Sequence, residues 1–434
     1  MKKNLIFVLG LLLVMGFTAC SSEIEDGTTD IDSWPMPYEE VKGEYTYQHP
    51  CAMFNDADFT RVKTMLDDGT APQAVKEEFE ILKNSAYTSF SYSASPTEWI
   101  VRGDPTGTGE SSENYANAMR DAAAAYQLAL LWKLTGNKEY AATSVKVMND
   151  WADKCKGIKS NDANQMLAAG AQGYTFANAA EIMQTYDGWA DKDKTDFKKW
   201  IVDVFAAKNI EFMKGHGGQC SDHYWSNWDL VNMCSYMAIG ILTENDDMVN
   251  YVVNYFYNGV GNGYIGKLIQ GTFTDPLGSG EEIAQNQESG RDQTHAQLGL
   301  GMMSMLCETA WKQGTDLYGV LDNRLPKGYE YTAKYNLGYD VPFKYMPELT
   351  GKYNWYEIDE VDKKEVASGQ RPESRRGKFA PVYERVYNHY ATRLGLGMPY
   401  VKEVLETKVR PENAGTDIAH LGYGTFLYCS EGFE

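Results

Sequence analysis

The sequence predicts a mainly α-helical fold, an (α/α) toroid in which helical hairpins form an incomplete double ring and long loops form a cleft. Three observations predict it. Turn sequences return about every 50 to 70 residues between helix-periodic stretches, which indicates a repeated helix pair. Apolar residues rich in Ala, Met and aromatics follow more than one stripe on these helices, as burial on two sides requires. Strand-like segments are confined to residues 263–274 and the last 20 residues.

Four turn sequences separate the expected helices. Before the first turn, Met119 and Ala122 belong to a helix-periodic stretch, and after it Ala141 and Val145 begin a second one. An αα-hairpin is therefore expected around residues 134–137. Similar turn sequences follow at residues 186–188, 242–245 and 311–314. Each of these turns is expected to join two neighbouring helices.

Three stretches rich in glycine and proline interrupt the helices, at residues 102–110, 259–290 and 339–376. Long loops inside a compact helical scaffold are usually functional or disordered. We expect them to build the walls of a cleft across one mouth of the ring.

The first residues predict export. Lys2 and Lys3 precede an apolar stretch, residues 5–15, that is too short to span a bilayer as a helix. The following Phe17-Thr18-Ala19-Cys20 resembles a lipobox, so residues 1–20 are predicted to be a lipoprotein signal peptide with Cys20 as the lipidated residue. An ordinary signal peptide cleaved near Ala19 is the alternative. Residues 21–45 are predicted to be an acidic tether and residues 46–434 the toroid domain.

This organisation implies an exported outer-membrane lipoprotein that faces the periplasm or the cell surface and contacts the membrane only through its N-terminal lipid anchor.

The 434-residue chain has 40 Lys and Arg against 60 Asp and Glu, a net charge of -20. Such a composition excludes a disordered chain, a coiled coil and a collagen-like fibre. It also argues against nucleic acid as a partner, because phosphate contacts need clustered cations. A polyanionic ligand would need a local basic pocket.

Six cysteines follow Cys20, at positions 51, 155, 220, 234, 307 and 429. Most lie in apolar helical contexts, where a small buried thiol is the simplest interpretation. Their spacing contains no CxxC pattern that would indicate a metal site. We therefore expect neither a metal nor another cofactor.

Two polar clusters stand where apolar helices are expected to begin. The first, residues 221–229, contains His223 and Asn227, and the second, residues 291–297, contains Arg291 and His295. In each pair the residues are four apart, so they share a helical face if the helix already runs through them. The alternative is that these residues are helix caps and hydrogen-bonded structural side chains. We expect the two clusters to converge at one mouth of the toroid.

The order of motifs resembles that of a known family. His223-Tyr224-Trp225-x-Asn227-Trp228, Arg291-x-x-x-His295, Asn323-Arg324-Leu325 and Glu330-Tyr331-Thr332-Ala333-Lys334-Tyr335-Asn336 together resemble the alginate lyases, helical-toroid polysaccharide lyases, over roughly residues 50–430. The resemblance implies cleavage of uronic-acid polymers by β-elimination. This reaction needs groups that neutralise the uronate carboxylate, a base for the C5 proton and an acid for the departing O4.

The resemblance also implies roles. Asn227 and Arg291 match the residues that neutralise the carboxylate, and His223 would share the task of Asn227. His295 falls where related lyases carry a catalytic-site histidine. The sequence departs from the family at Gln297, where a proton-transferring tyrosine is expected. Either His295 is the base, or a tyrosine from elsewhere, Tyr224 or Tyr335, reaches the site. We favour shared work, in which His295 neutralises the carboxylate or accepts the proton and Tyr335 protonates O4. Residues expected to bind substrate are Tyr224, Trp228, Gln293, Arg375 and Arg376.

Two functions from other classes stay open. A glycoside hydrolase on the same toroid would need two carboxylates, which Glu281, Glu282, Glu288 and Asp292 could supply. A non-catalytic glycan-binding lipoprotein would bind the polysaccharide without depolymerising it.

The basic residues within 371–378 have two interpretations. They could bind uronate carboxylates, or they could form a solvated turn.

Overall fold

A computed structural model describes residues 38–103, 112–275, 281–343, 376–413 and 420–429. The predicted signal peptide with Cys20, most of the predicted tether, and Arg375 lie outside these ranges. Within them the chain is mainly helical, and only short strands accompany the helices. The predicted fold class is confirmed.

The helices follow one another along the whole described chain. They are α1 Asp56–Asp67, α2 Gln73–Lys83, α3 Tyr115–Thr135, α4 Lys138–Lys154, α5 Asn164–Met183, α6 Asp191–Ile201, α7 Ala207–Gly215, α8 Ser226–Leu242, α9 Asp246–Asn258, α10 Ile265–Leu268, α11 Gln293–Lys312, α12 Val320–Asn336, α13 Tyr383–Tyr387, α14 Pro399–Val404 and α15 Gly424–Tyr428. Single π-helical turns extend α6, α13 and α14 at Val202–Ala206, Asn388–Arg393 and Leu405–Val409. The first turn of α12 has left-handed φ angles from Leu321 to Asn323, so its regular part begins at Arg324.

The helices form two layers. In the inner layer α3 packs on α5, α5 on α8, and α8 on α11. In the outer layer α4, α7, α9 and α12 each pack against one of these inner helices. Inner helices are buried on all sides: α5 is buried from Ala168 to Met183 except at Ala171. All four predicted turns lie between helices, so the expected hairpins are confirmed.

Glycines allow α5 and α8 to approach closely. A Cβ atom on Gly170 would lie 2.8 Å from the carbonyl carbon of Val231, and one on Gly173 would lie 2.4 Å from Ser235 Oγ. No side chain fits at these distances, so the two glycines set the separation of α5 from α8.

Two small sheets lie outside the helical layers. Strands β1 Trp99–Val101 and β2 Gly157–Lys159 pair in parallel, and β3 Ile269–Thr274 pairs antiparallel with β4 Glu282–Asn286. The strand expected within residues 263–274 is confirmed as β3. The strand expected in the last 20 residues is wrong for the described part, which contains the short helix α15. Its apolar run is too short for periodicity to distinguish strand from helix, and the Phe426 N–H donates to the buried Glu78 carboxylate instead of a strand.

The segment before α1 follows helix α9. The backbone of Val41 exchanges hydrogen bonds with the Asn254 side chain, and Gly43 does the same with Asn250. The predicted limits of tether and domain stay predictions. In the part of the chain that the structure describes, no helix is both long and apolar enough to cross a membrane. All six cysteines there are free thiols, and all except Cys220 are buried, as expected.

Candidate active site

The two polar clusters stand at helix starts, but each helix begins later than the four-residue spacing requires. Helix α8 begins at Ser226, so His223 lies in the turn before it and shares no helical face with Asn227. Helix α11 begins at Gln293, so Arg291 also precedes its helix. Asp292 fixes this start, because its Oδ1 accepts the N–H groups of Thr294 and His295. The condition for a shared helical face, a helix that already runs through both residues, is therefore not met in either pair.

Glu288 joins the two clusters. Its Oε1 accepts a hydrogen bond from Asn227 Nδ2 at 2.6 Å, and its Oε2 accepts one from Arg291 Nη1 at 2.8 Å. The Arg291 guanidinium carbon lies 5.2 Å from the centre of the Trp225 ring. The two helix starts are in contact, as the sequence predicted.

Exposure separates the roles of these side chains. The Glu288 side chain is 1% exposed, whereas the Arg291 side chain is 24% exposed. Asn227 is buried together with Glu288. Arg291 therefore presents a fixed cation to solvent. The buried Glu288 carboxylate holds the guanidinium by a hydrogen bond, and Asn227 in turn donates a hydrogen bond to Glu288. Sequence reasoning considered Glu288 only as a hydrolase carboxylate and missed this support.

His295 is oriented by a buried carboxylate. Asp292 Oδ2 lies 2.6 Å from His295 Nδ1, and the side chains are 4% and 30% exposed. Burial raises the pKa of Asp292, but hydrogen bonds from the His295 ring and backbone and the charge of Arg291 lower it to about 2. The ionised carboxylate accepts the Nδ1 proton, which leaves Nε2 as the ring nitrogen for a ligand.

Aromatic rings cover the approach to α8. The Tyr224 ring centre lies 4.6 Å from that of Trp228 and 4.7 Å from that of His223, and Phe212 packs behind at 5.3 Å. All except Phe212 are partly exposed. Such a surface suits the apolar faces of sugar rings.

Asn262 holds the turn that carries His223. Its Nδ2 donates to the carbonyl oxygens of Asp222 and Tyr224 at 3.1 and 2.7 Å, on both sides of His223. The carboxylate of Asp229 in turn accepts the N–H groups of Asn262 and Gly263. No local pattern marks Asn262, because it meets the turn only through the fold.

Helix α12 brings Tyr335 to the same region. Its neighbour Asn336 donates to Gln293 Oε1 at 3.0 Å, and the Arg376 guanidinium lies 4.1 Å from the Tyr335 ring centre. Gln293 is buried and also donates to the Ser289 carbonyl. Gln293 therefore lies in the contact between α11 and α12. It is not on the surface, where a substrate-binding residue was expected.

Gln297 occupies the position where the family resemblance implies a tyrosine. It is buried, donates to the carbonyls of Gln293 and Lys378, and accepts from the Ala380 N–H and the Tyr383 hydroxyl. Its role is to fasten the segment after residue 376 to α11. Tyr335 reaches the N-terminal end of α11 through its neighbour Asn336, whereas the buried Tyr383 donates its hydroxyl directly to Gln297.

The carboxylates proposed for a hydrolase are poorly suited to that chemistry. Glu281 and Glu282 are exposed, and Glu282 pairs with Lys327. Glu288 and Asp292 flank Arg291, and the low pKa of Asp292 keeps it ionised. A glycosidase needs a carboxylic acid whose pKa is raised, so Asp292 cannot serve as its general acid.

Comparisons with known proteins agree with this arrangement. The family model described as Alginate lyase matches residues 82–340, more than half of the chain. None of the curated proteins matches the sequence. Among solved structures, alginate lyase A1-III from Sphingomonas species A1 is 16% identical, with a TM-score of 0.57 and coverage of 87% of this chain and 97% of that chain.

Two further structures share the fold. A tyrosine-to-phenylalanine variant of alginate lyase A1-III complexed with tetrasaccharide is 15% identical, with a TM-score of 0.57 and coverage of 89% of this chain and all of that chain. An alginate lyase from Bacteroides ovatus is 15% identical, with a TM-score of 0.54 and coverage of 87% and 99%. The fold is thus the (α/α) toroid of these enzymes, and the family match covers both helix starts of the site. The chain belongs to the alginate lyase family of polysaccharide lyases.

Proposed function

We propose that the protein depolymerises a polyuronate, alginate or a related acidic polysaccharide, by β-elimination at the site formed by Arg291 and His295. One observation carries the proposal: a partly exposed cation and a partly exposed histidine lie on either side of Asp292, and each is fixed by a buried carboxylate. A site that only bound sugar would be served by aromatic and amide side chains. The preorganised Arg291 and His295 instead match the charge and proton that the elimination must handle.

In this mechanism Arg291 binds the carboxylate of the uronate that loses its C5 proton. The cation stabilises the negative charge that develops there as the C5–H bond breaks. His295 accepts the C5 proton at Nε2, because Asp292 holds the proton on Nδ1. The electron pair of the C5–H bond forms the C4–C5 double bond, and the C4–O4 bond breaks. Tyr335 donates the proton that O4 requires.

Other side chains hold the polymer. Tyr224 and Trp228 offer a stacking surface beside His223, and Arg376, exposed next to Tyr335, adds a second cation for the carboxylate of a neighbouring sugar. Relatives with a bound oligosaccharide support the substrate class: alginate lyase A1-III is known complexed with tetrasaccharide as a tyrosine-to-phenylalanine and as a histidine-to-alanine variant.

The test is incubation of the purified protein with polymannuronate, polyguluronate and polyglucuronate, followed by ultraviolet absorbance of the new double bond. A lyase releases absorbing oligosaccharides. New reducing ends without absorbance would indicate a hydrolase, and binding without either signal a non-catalytic protein. The size distribution of early products separates endo from exo cleavage.

Asp292→Asn is expected to lower kcat by about 10²–10⁴-fold, because an asparagine amide no longer fixes the proton on Nδ1 of His295. The measurement is the steady-state rate on the best polyuronate. Asp316→Asn is the matched control, since Asp316 also accepts backbone N–H groups at a turn, outside the site. Equal rates for wild type and Asp292→Asn would contradict the proposed orientation.

The same residue gives a stability test. The pKa of Asp292 is about 2 in the folded chain against an ordinary value of 3.8. Its contribution to stability is present above pH 3.8 and is lost as pH falls towards 2. The difference in unfolding free energy between wild type and Asp292→Asn should shrink over that window in denaturant titrations.

We also propose that the protein is an exported outer-membrane lipoprotein, anchored through Cys20 and otherwise free of the membrane. The support is the charged, apolar and small-residue order of residues 1–20. Cys20→Ala is expected to move the protein from the membrane fraction to the soluble fraction, with unchanged specific activity. Retention of this variant in the membrane fraction would exclude the lipid anchor.

A further inference from the structure

A second cluster of reactive side chains lies far from the site. His49 and Cys51 precede α1, and Glu181 belongs to the last turns of α5. The cluster is close to Glu244, which follows the C-terminal end of α8, whereas the candidate active site lies at its N-terminal end. At 1.5 Å per residue α8 is about 25 Å long, so the two sites are at opposite ends of an inner helix.

Three donor atoms converge in this cluster. His49 Nδ1 lies 2.8 Å from Glu181 Oε1 and 3.7 Å from Cys51 Sγ, and the three atoms lie within 4.8 Å of one another. Glu181 Oε1 is buried and, within the described residues, accepts no hydrogen bond of good geometry in spite of its nearness to Nδ1. Its lone pairs are therefore available to a metal beside Nδ1 and Sγ.

The remaining atoms of these side chains have partners that would orient them for a metal. His49 Nε2 lies 3.3 Å from Glu244 Oε1, so a proton on Nε2 has an acceptor when the Nδ1 lone pair binds a metal. Glu181 Oε2 accepts the Cys51 N–H at 2.9 Å, which turns Oε1 towards the thiol. The Cys51 carbonyl accepts from Gln313, so the cysteine backbone is fixed as well.

We propose that His49 Nδ1, Cys51 Sγ and Glu181 Oε1 bind a zinc ion. Zinc takes nitrogen, thiolate and carboxylate ligands at about 2.0–2.3 Å in tetrahedral geometry, which places neighbouring ligand atoms about 3.3–3.7 Å apart. The Nδ1 to Sγ distance fits this range, and Nδ1 to Oε1 needs to lengthen by about half an ångström, within reach of a small side-chain rotation. Hard cations such as calcium and magnesium are disfavoured by the thiolate. A water molecule completes the four ligands.

The zinc site would join parts of the chain that are far apart in sequence. It would fasten the segment before α1 to α5, and through Glu244 to the turn between α8 and α9. The segment already follows α9 by the hydrogen bonds of Val41 and Gly43. The metal would therefore stabilise the fold and take no part in the elimination, since it lies at the other end of α8.

The experiment measures zinc itself. Metal-free full-length protein is given zinc, passed over a desalting column, and its zinc content determined; cobalt is used in parallel for its thiolate charge-transfer band. The expected result is one zinc per chain and a cobalt band for wild type. Cys51→Ser should lose the band and bind zinc at least about tenfold more weakly. Cys155→Ser, which removes another buried thiol, should behave as wild type.

Glu244→Ala provides a second variant that changes no ligand and removes an exposed side chain. It should weaken zinc binding by about 10–100-fold, as loss of an orienting carboxylate does at other sites. Circular dichroism checks that each variant is folded. No zinc retained by wild type, or equal zinc retained by wild type, Cys51→Ser and Glu244→Ala, would overturn the proposal and leave the cluster as a histidine–glutamate ion pair. None of these readouts depends on lyase activity, so the result is independent of the proposed reaction.

Discussion

Arg291→Ala is expected to lower kcat by roughly 10²-fold or more, because the lost cation acts mainly as charge develops on the substrate carboxylate. Folding is also affected, because among the described residues Glu288 then keeps its buried charge with only Asn227 and Ser226 as side-chain donors. Arg291→Lys retains the charge but loses the planar fork and the stacking on Trp225, so an intermediate rate is expected. The measurement is kcat and KM on the best polyuronate, beside the urea midpoint of each variant.

Asn227 and Glu288, which hold the Arg291 guanidinium in place, provide the control variants for Arg291→Ala. Asn227→Ala and Glu288→Gln remove no exposed group of the site, yet both loosen the guanidinium. We expect their losses in kcat to be in the same direction as that of Arg291→Ala, and the double variant Asn227→Ala with Arg291→Ala to lose little beyond Arg291→Ala alone. Fully additive losses would mean that Asn227 acts on the substrate itself, and near-normal turnover in all variants would place the site elsewhere.

His295→Gln is expected to abolish nearly all turnover, since a glutamine cannot accept the C5 proton that Nε2 takes. Positioned proton transfer is worth about 10²–10⁴ in rate, so the loss should fall in that range or above. Tyr335→Phe removes one hydroxyl without changing the ring against Arg376 and should give a comparable loss if Tyr335 protonates O4. The rates of both variants, and their dependence on pH, provide the measurement.

Tyr224→Phe separates the two tyrosines. Tyr224 belongs to the stacking surface with Trp228, so its variant should mainly raise KM. A dead Tyr224→Phe with an active Tyr335→Phe would transfer the acid role to Tyr224. Full activity in both His295→Gln and Tyr335→Phe would exclude the mechanism.

The hairpins could be predicted because their turns carry local signals. Gly136 ends α3 with a left-handed φ of 72°, and Asn137 and Asn245 cap the helices that follow their turns. The approximate positions of the two helix starts could be predicted for the same reason. The residues at which the helices begin could not, because Asp292 caps α11 and Trp225 lies in extended backbone before α8.

The supporting residues of the site depend on contacts across the fold. Glu288 meets Asn227 across 61 residues of sequence, and Asn262 reaches the carbonyl of Asp222 across 40. Neither contact has a spacing that periodicity can reveal. Buried Gln293 and Gln297 show the opposite case, because an amide near a helix start is equally suited to a cleft and to an internal joint, and only burial distinguishes the two.

The glycine contact between α5 and α8 has a consequence for how the family can vary. Val231, which a Cβ on Gly170 would strike, lies one turn after Asn227 on the same helix. A larger residue at position 170 would push this part of α8 away from α5 and so shift the start of α8 relative to α11. Reacting groups misplaced by about an ångström can cost 10²-fold in rate. Because the overlap includes the carbonyl carbon of Val231, a smaller side chain at position 231 would not relieve it. Relatives that keep this separation of the two helices should therefore keep glycine at the position of Gly170, although it does not touch the substrate.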